Sequence, residues 1–216
     1  MNFDPDGPIY QTLFSLDTVV VPAETMWFWL LLFSCCFIFF DAWYFIRFCI
    51  TCFIYGITKT KSLFEENVLY GICLTTDLDF MIHMNNARYL RECDFGRFKF
   101  WLQTNGWQTL RNLGGGMSNA GNNIRYRRSL QLFDIYKITT KLVYWDDRSF
   151  YLEQQFVRNK DNFICAVNIV KQTLTGGISP ALLIQKLTGE EKVPELSEEM
   201  SCLLKSWTLS SDKLRQ

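Results

Sequence analysis

The stretch richest in reactive side chains reads Asp77-Leu78-Asp79-Phe80-Met81-Ile82-His83-Met84-Asn85-Asn86. It places two carboxylates, an imidazole and two amides just ahead of a helical pattern that begins near Ala87. A helix N-terminus carries unpaired N–H groups and partial positive charge. A carbonyl held there is polarised and its oxyanion stabilised. A carboxylate beside it has the chemistry of a general base or of a nucleophile. Asn85, Asn86, Asp79 and His83 are equally suited to capping the helix and tying down a loop, and both readings stand at this level.

His83 is the only histidine in the chain. A multi-histidine metal centre is therefore excluded, and a Ser-His-Asp or Cys-His enzyme would have to run through this one residue. No G-x-S-x-G elbow precedes a candidate helix. Eight cysteines are present, four in an apolar N-terminal segment and four isolated within apolar patterns, as buried free thiols in a reducing compartment read. Cys49-x-x-Cys52 has neither a second CxxC nor a nearby histidine, which makes zinc a poor fit. Gly114-Gly115-Gly116 lacks the following Lys-Ser/Thr of a phosphate loop and reads as a turn. The 22 basic and 22 acidic residues balance, so nucleic acid is not an expected partner.

The elements that would position this chemistry follow from periodicity. Residues 68–75 read as a buried strand. A long helix is predicted from Ala87 to Thr104, closed by Asn105-Gly106. Its clearly polar stripe is narrow (Arg88, Glu92, Lys99, Gln103), so the helix should be wrapped on most sides. Asp94 and Arg97 lie one turn apart on its otherwise apolar side, where they can pair with each other or reach a pocket. A short helix over residues 107–113 and a weakly patterned strand over 117–126 come next. Strands centred on Tyr136–Tyr144, Phe150–Phe156 and Phe163–Leu174 follow. The pattern is α+β, an antiparallel sheet curled round a helix. Two helices close the chain, one opened by Ser179-Pro180 and ended by Gly189. The other carries Met200, Leu203, Leu204 and Trp207 as a docking stripe.

Ahead of this domain, residues 26–40 carry no charge and the apolar run continues to Ile46 with only Asp41 interrupting. Spanning a bilayer takes about 20 apolar residues, so residues 26–46 are expected to form one transmembrane helix. Trp27, Trp29, Trp43 and Tyr44 would supply its aromatic belts. Phe48 to Ile57 is too short to cross and would lie at the interface or pack on the domain. A buried core hairpin and a cleaved signal peptide are the alternatives. The acidic residues before the run and the missing A-x-A site favour an anchor. Basic residues fall only after it, at Arg47, Lys59 and Lys61, which places the domain in the cytosol. The expected organisation is a flexible acidic tail (1–25), an anchor and juxtamembrane segment (26–57), a catalytic-type domain (58–178) and C-terminal helices packed on it (179–216).

The motif resembles the D-x-D-x-x-x-H-x-N-N-x-x-Y segment of the hotdog-fold thioesterases, which include 4-hydroxybenzoyl-CoA and plant acyl-carrier-protein thioesterases. The likeness runs from about Val68 to Thr175 with matching element order. Further stretches, Asp41–Tyr44, His83–Glu92, Arg127–Leu130 and Trp145–Arg148, resemble an animal branch of that family. The resemblance implies a hotdog fold, a homodimer with sites at the subunit interface, an acyl-CoA-type thioester substrate and no metal or cofactor. It implies Asp79 as the essential acid, with His83 orienting the loop, N–H groups near Asn85 and Asn86 polarising the carbonyl, and Arg125, Arg127 and Arg128 as candidates for coenzyme A phosphates. A solvated basic strand end accounts for the three arginines equally well. Met81 stands where the plant Asp-x-Asn-x-His pattern has its middle residue. Two functions follow: an acyl-CoA thioesterase anchored on the cytosolic face of the endoplasmic reticulum, or a non-catalytic hotdog membrane adaptor or acyl-CoA-binding protein. The signal-peptide alternative would send the chain into the secretory pathway instead.

Overall fold

A computed structural model describes residues 22–58, 60–189 and 194–215. The acidic tail expected over 1–25 therefore lies largely outside the described residues, as does Lys59. The chain divides into two compact units, Met1–Arg47 and Phe48–Gln216.

In the larger unit five strands form one antiparallel sheet: β1 (Asn67–Ile72), β2 (Gly116–Tyr126), β3 (Ile135–Trp145), β4 (Ser149–Arg158) and β5 (Phe163–Thr175), in the order β1-β3-β4-β5-β2. Helix α3 (Asn86–Gln103) lies in the concavity. Its Tyr89 and Cys93 pack with Tyr136, Ile138, Phe156 and Ala166. Its Phe100 and Trp101 pack with Phe150, Leu152, Val170 and Leu174. The alternation of β3 and β4 puts these large side chains on one face of the sheet, which is what fixes the register.

Two expectations need correction. The polar stripe of α3 is not solvated: Glu92 is 2% and Gln103 7% exposed. β1 and the segment before it cover that face, and each polar head finds a partner. Gln103 accepts from Asn67 Nδ2 (2.9 Å) and donates to Thr58 Oγ1 (3.0 Å), Glu92 accepts from Tyr136 Oη (3.2 Å), and Lys99 Nζ reaches the Val68 carbonyl. The first strand, in turn, is not buried through to residue 75. It stops at Ile72 as an edge strand paired only with β3, leaving Tyr70 and Ile72 exposed.

Gly96 allows α3 to approach the sheet closely. A Cβ there would sit 2.9 Å from Gln154 Nε2 and 3.1 Å from Thr140 Oγ1. Gln154 has little freedom to yield, because the same nitrogen donates to the Cys93 carbonyl (2.9 Å) and to Thr140 Oγ1 (3.2 Å). Alanine gains about 1 kcal/mol of helix propensity, and overpacking a filled core costs about 1–3 kcal/mol. Gly96→Ala should therefore lower stability by about 1 kcal/mol in urea denaturation; a stabilised variant would contradict this packing.

Helix α4 (Gly106–Asn112) follows α3 after Asn105, whose φ of +58° makes the sharp turn. Helix α5 (Pro180–Thr188) is capped by Ser179 Oγ and ends at Gly189 with φ +74°. Helix α6 (Glu198–Leu214) lays Met200, Leu203, Leu204 and Trp207 on the outer face of the sheet, where Trp207 stacks on Tyr151 at 5.9 Å.

At the N-terminus the expected single span over 26–46 is two helices, α1 (Ala23–Phe39) and α2 (Ala42–Gly56). The break has a local cause. Phe40 is extended, and Asp41 Oδ1 accepts the Tyr44 N–H at 3.3 Å, so Asp41 starts a new helix instead of continuing the old one. Seventeen residues reach about 25 Å, short of the roughly 30 Å hydrocarbon core. No single described helix is long and apolar enough to cross a membrane; α1 and α2 meet that test only together, as a bent pair. Residues 48–56 of α2 belong with the domain. Phe48, Thr51, Cys52 and Tyr55, at i, i+3, i+4 and i+7, form its less exposed face. Phe48 meets Phe98 edge-on at 4.8 Å, and Lys99 Nζ lies 4.4 Å over the Tyr55 ring. Ile50, Phe53 and Ile54 remain exposed.

Candidate active site

Between β1 and α3 the chain makes a short 3-10 turn (Thr75–Asp77) and then a tight hairpin. Leu78 bridges Met84, the Asp79 N–H donates to the His83 carbonyl at 3.0 Å, and the Ile82 N–H donates to the Asp79 carbonyl at 3.0 Å. Closing so small a loop forces Ile82 to φ +60°, a costly position for a β-branched residue and the kind of strain that gathers at working sites. The Asp79 side chain supports the turn: Oδ1 accepts the Met81 N–H at 2.9 Å. Its second oxygen, Oδ2, lies 3.5 Å from His83 Nδ1, and both side chains are largely but not wholly shielded. His83 Nδ1 is buried and has no hydrogen-bond partner among the described residues. The hairpin tip points away from the protein, with Phe80 94% and Met81 61% exposed.

Asn85 is the N-cap of α3. Its Oδ1 accepts the Ala87 N–H at 2.9 Å, while its own N–H donates to the Asp77 carbonyl at 2.8 Å. Asp77 is buried and structural: Oδ2 accepts the Leu74 N–H at 2.9 Å. Asp77 and Asp79 are not alternating residues of one extended strand, because residues 75–77 are helical.

The end of β2 and the loop after it run beside this hairpin. Tyr126 Oη donates to the Asn86 carbonyl at 2.9 Å, the Leu130 N–H donates to Tyr89 Oη at 3.0 Å, and the Met84 N–H donates to the Leu130 carbonyl at 2.8 Å. Arg125, Arg127 and Arg128 are thereby carried to the neighbourhood of the α3 N-terminus. Two of them are engaged. Arg127 lies over the Phe163 ring and donates to the Ile164 carbonyl (3.3 Å), and Arg128 lies 3.9 Å over the same ring and pairs with Asp161 at 3.5 Å. Arg125 makes no hydrogen bond or ion pair among the described residues. Sequence reading missed Tyr89 and Tyr126, which join the two segments. Their spacing signals helix core and strand end, not contact.

The nearby thiols are not nucleophiles. Burial, reinforced by Asp77, Asp134 and Glu92, pushes Cys73 up to about 11, and burial pushes Cys93 up to about 12 despite Arg97. Both stay protonated at neutral pH. Among the described residues no group of three or more His, Cys, Asp or Glu side chains is arranged to hold a metal ion. The hairpin itself offers one carboxylate and one imidazole, followed by a helix N-terminus.

The sequence model of the Thioesterase-like superfamily matches residues 73–183. Protein THEM6 of Drosophila melanogaster is 39% identical over 191 residues, covering 87% of this chain and 98% of that protein. Protein THEM6 of Xenopus laevis is 42% identical over 177 residues, covering 81% of this chain and 85% of that protein. Among solved structures, YbaW, a probable thioesterase from Escherichia coli, aligns with a TM-score of 0.45 and 22% identity over 62% of this chain and 92% of that one.

Proposed function

We propose, on the premise that this chain belongs to the Thioesterase-like superfamily, that it hydrolyses acyl-CoA thioesters with Asp79 as the reactive carboxylate. Asp79 takes a proton from a water molecule as the water oxygen adds to the thioester carbonyl. The Asn86 N–H and the partial positive charge of the α3 N-terminus stabilise the oxyanion, since the Asn85, Ala87 and Arg88 N–H groups are already bonded to Asp77 and Asn85. Collapse breaks the C–S bond, and the departing coenzyme A thiolate receives the proton, leaving the free acid. Direct attack by Asp79 on the carbonyl, through an anhydride that water then opens, balances equally. The His83 imidazole lies 3.5 Å from the second carboxylate oxygen, and Arg125 is the freest of the three arginines to meet a phosphate.

The observation that carries this reading is the state of Asp79. Its turn needs only Oδ1, which leaves Oδ2 beside the imidazole, in the hairpin that leads directly into α3. Met81 does not seal the carboxylate from water, because the residue is largely exposed and its hydrogen bond to Asp79 is made by its backbone N–H. The second reading, an acyl-CoA-binding adaptor, draws on the same residue: Met81 supplies no polar group to hold a water. Incubation of the full-length protein with acyl-CoAs of graded chain length separates the two. Thiol release titratable with a disulfide reagent is expected. Binding of a non-hydrolysable thioether analogue, with no release from any thioester, would favour the adaptor.

The same proposal includes a homodimer and a membrane location, with α1 and the exposed apolar face of α2 in the lipid and the domain on the cytosolic side of the endoplasmic reticulum. A helix that is apolar all round, as α1 is, suits a lipid environment. Protease added to sealed membranes should degrade the domain. Full protection, or glycosylation of a sequon engineered into the domain, would reverse the topology and return the chain to the secretory alternative.

A further inference from the structure

A cavity of about 280 Å³ lies apart from the Asp79 hairpin, walled by α2, α3, α4, β2 and β5. Its lining is mainly apolar: Phe48 and Cys52 from α2, Phe98 and Trp101 from α3, and Met117 from β2. The polar groups that reach it are largely committed elsewhere. Arg97 is bonded to Asp94 and donates to Gln154 Oε1 at 2.9 Å. The Trp101 indole N–H donates to Gln172 Oε1 at 2.7 Å. A charged ligand would find no free counter-charge here, because the cavity's one cation is already neutralised by its own carboxylate. A hydrocarbon loses nothing by entering such a site and gains by leaving water.

One wall lies outside the part that matches the family model. Phe48 and Cys52 precede residues 73–183, the part that matches the family. They belong to a helix whose opposite face, Ile50, Phe53 and Ile54, is exposed and apolar. An aliphatic chain leaving a lipid environment along α2 would therefore travel on an apolar helix face whose other side walls this cavity. The volume is near the lower end of the roughly 300–1,000 Å³ typical of ligand sites, which suits a single chain of medium length.

We propose that this cavity receives the hydrocarbon tail of an acyl ligand and that α2, through Phe48 and Cys52, sets how much chain it accepts. This rests on the acyl-thioester reading above, which supplies the identity of the occupant. The test uses the full-length protein in phosphatidylcholine nanodiscs and a decanoyl-CoA probe with a diazirine at the end of its chain. After irradiation, peptides containing residues 48–52 and 98–102 should be labelled, and excess decanoyl-CoA should remove the label. Cys52→Trp should lower that labelling about tenfold while Cys52→Ala preserves it. Leu102→Trp, on another wall, gives a second filled variant should Cys52→Trp not fold. Labelling of these segments with no thiol release supports the site and overturns the hydrolase. Thiol release with label only elsewhere, or label that excess decanoyl-CoA does not displace, overturns the site and leaves the hydrolase standing.

Discussion

Asp79→Asn should reduce acyl-CoA hydrolysis about 10²–10⁴-fold, the contribution usual for a general base, while leaving the melting temperature near that of the parent. Asparagine keeps the oxygen that accepts the Met81 N–H, so the turn, including the strained Ile82, survives. What is lost is the negative charge beside His83. His83→Ala should cost less activity than Asp79→Asn and some stability, because the imidazole holds the loop instead of reacting. Asp77→Asn behaves differently again. Asp77 is buried and accepts the Leu74 N–H, so weakening this charge-assisted bond should cost about 1–2 kcal/mol of stability, with the rate per folded molecule preserved. Full activity in Asp79→Asn together with loss of turnover in folded Asp77→Asn would mean that the wrong carboxylate has been chosen.

Arg97→Met should be the most destabilising of the polar substitutions, by about 3 kcal/mol, the lower end of the cost of stripping one partner from a buried ion pair. The guanidinium is almost wholly buried and bridges Asp94 to Gln154. Gln154 in turn holds the Cys93 carbonyl and Thr140 Oγ1, so α3 is tied through this residue to β3 and β4. Asp94 is the more open partner, which is why the lower end applies. Burial already raises the Asp94 pKa against the lowering effect of Arg97. Without Arg97 it rises further. A folded-state pKa above the unfolded value favours folding at low pH and loses that benefit as pH rises through the folded value. The deficit of Arg97→Met should accordingly be larger at neutral pH than near pH 4, and Asp94→Asn added to it should recover part of the loss. For a domain of this size the neutral-pH effect corresponds to roughly 6–12 °C in melting temperature. A change within 2 °C, with no pH dependence, would show that the pair contributes nothing to the core.

The enclosed helix was legible because its signals are local. Asn85 caps it, Asn105 ends it, and too few polar positions remain for an ordinary surface helix. The α6 stripe and the Ser179-Pro180 start of α5 were legible for the same reason. What failed depended on chain brought in from elsewhere. Glu92 and Gln103 look solvated until β1, Tyr136 and Thr58 arrive to bond them. The apolar content of residues 68–75 is that of an inner strand, but sheet order leaves β1 at an edge. Asp41 looks in the sequence like a lone charge inside a span, whereas its short side chain caps α2 and breaks the run. At the candidate site the sequence supplied residue types and order, including Asp79, His83 and the Asn85 cap. It could not supply the 3-10 turn that buries Asp77, nor the meeting of Tyr126 with Asn86. The cavity was the least legible feature, since Phe48 and Met117 are 69 positions apart and neither has a pattern that announces the other.

The central claim is that this protein cleaves a thioester with water, and the most direct measurement is mass spectrometry of a reaction run in water enriched in the heavy oxygen isotope. Full-length protein is incubated with decanoyl-CoA over many turnovers, and both products are quantified. The expected result is coenzyme A and free decanoic acid in equal amounts, the acid carrying one heavy oxygen, with formation suppressed in Asp79→Asn. Decanoyl-CoA recovered intact after prolonged incubation with protein that binds it would contradict the claim.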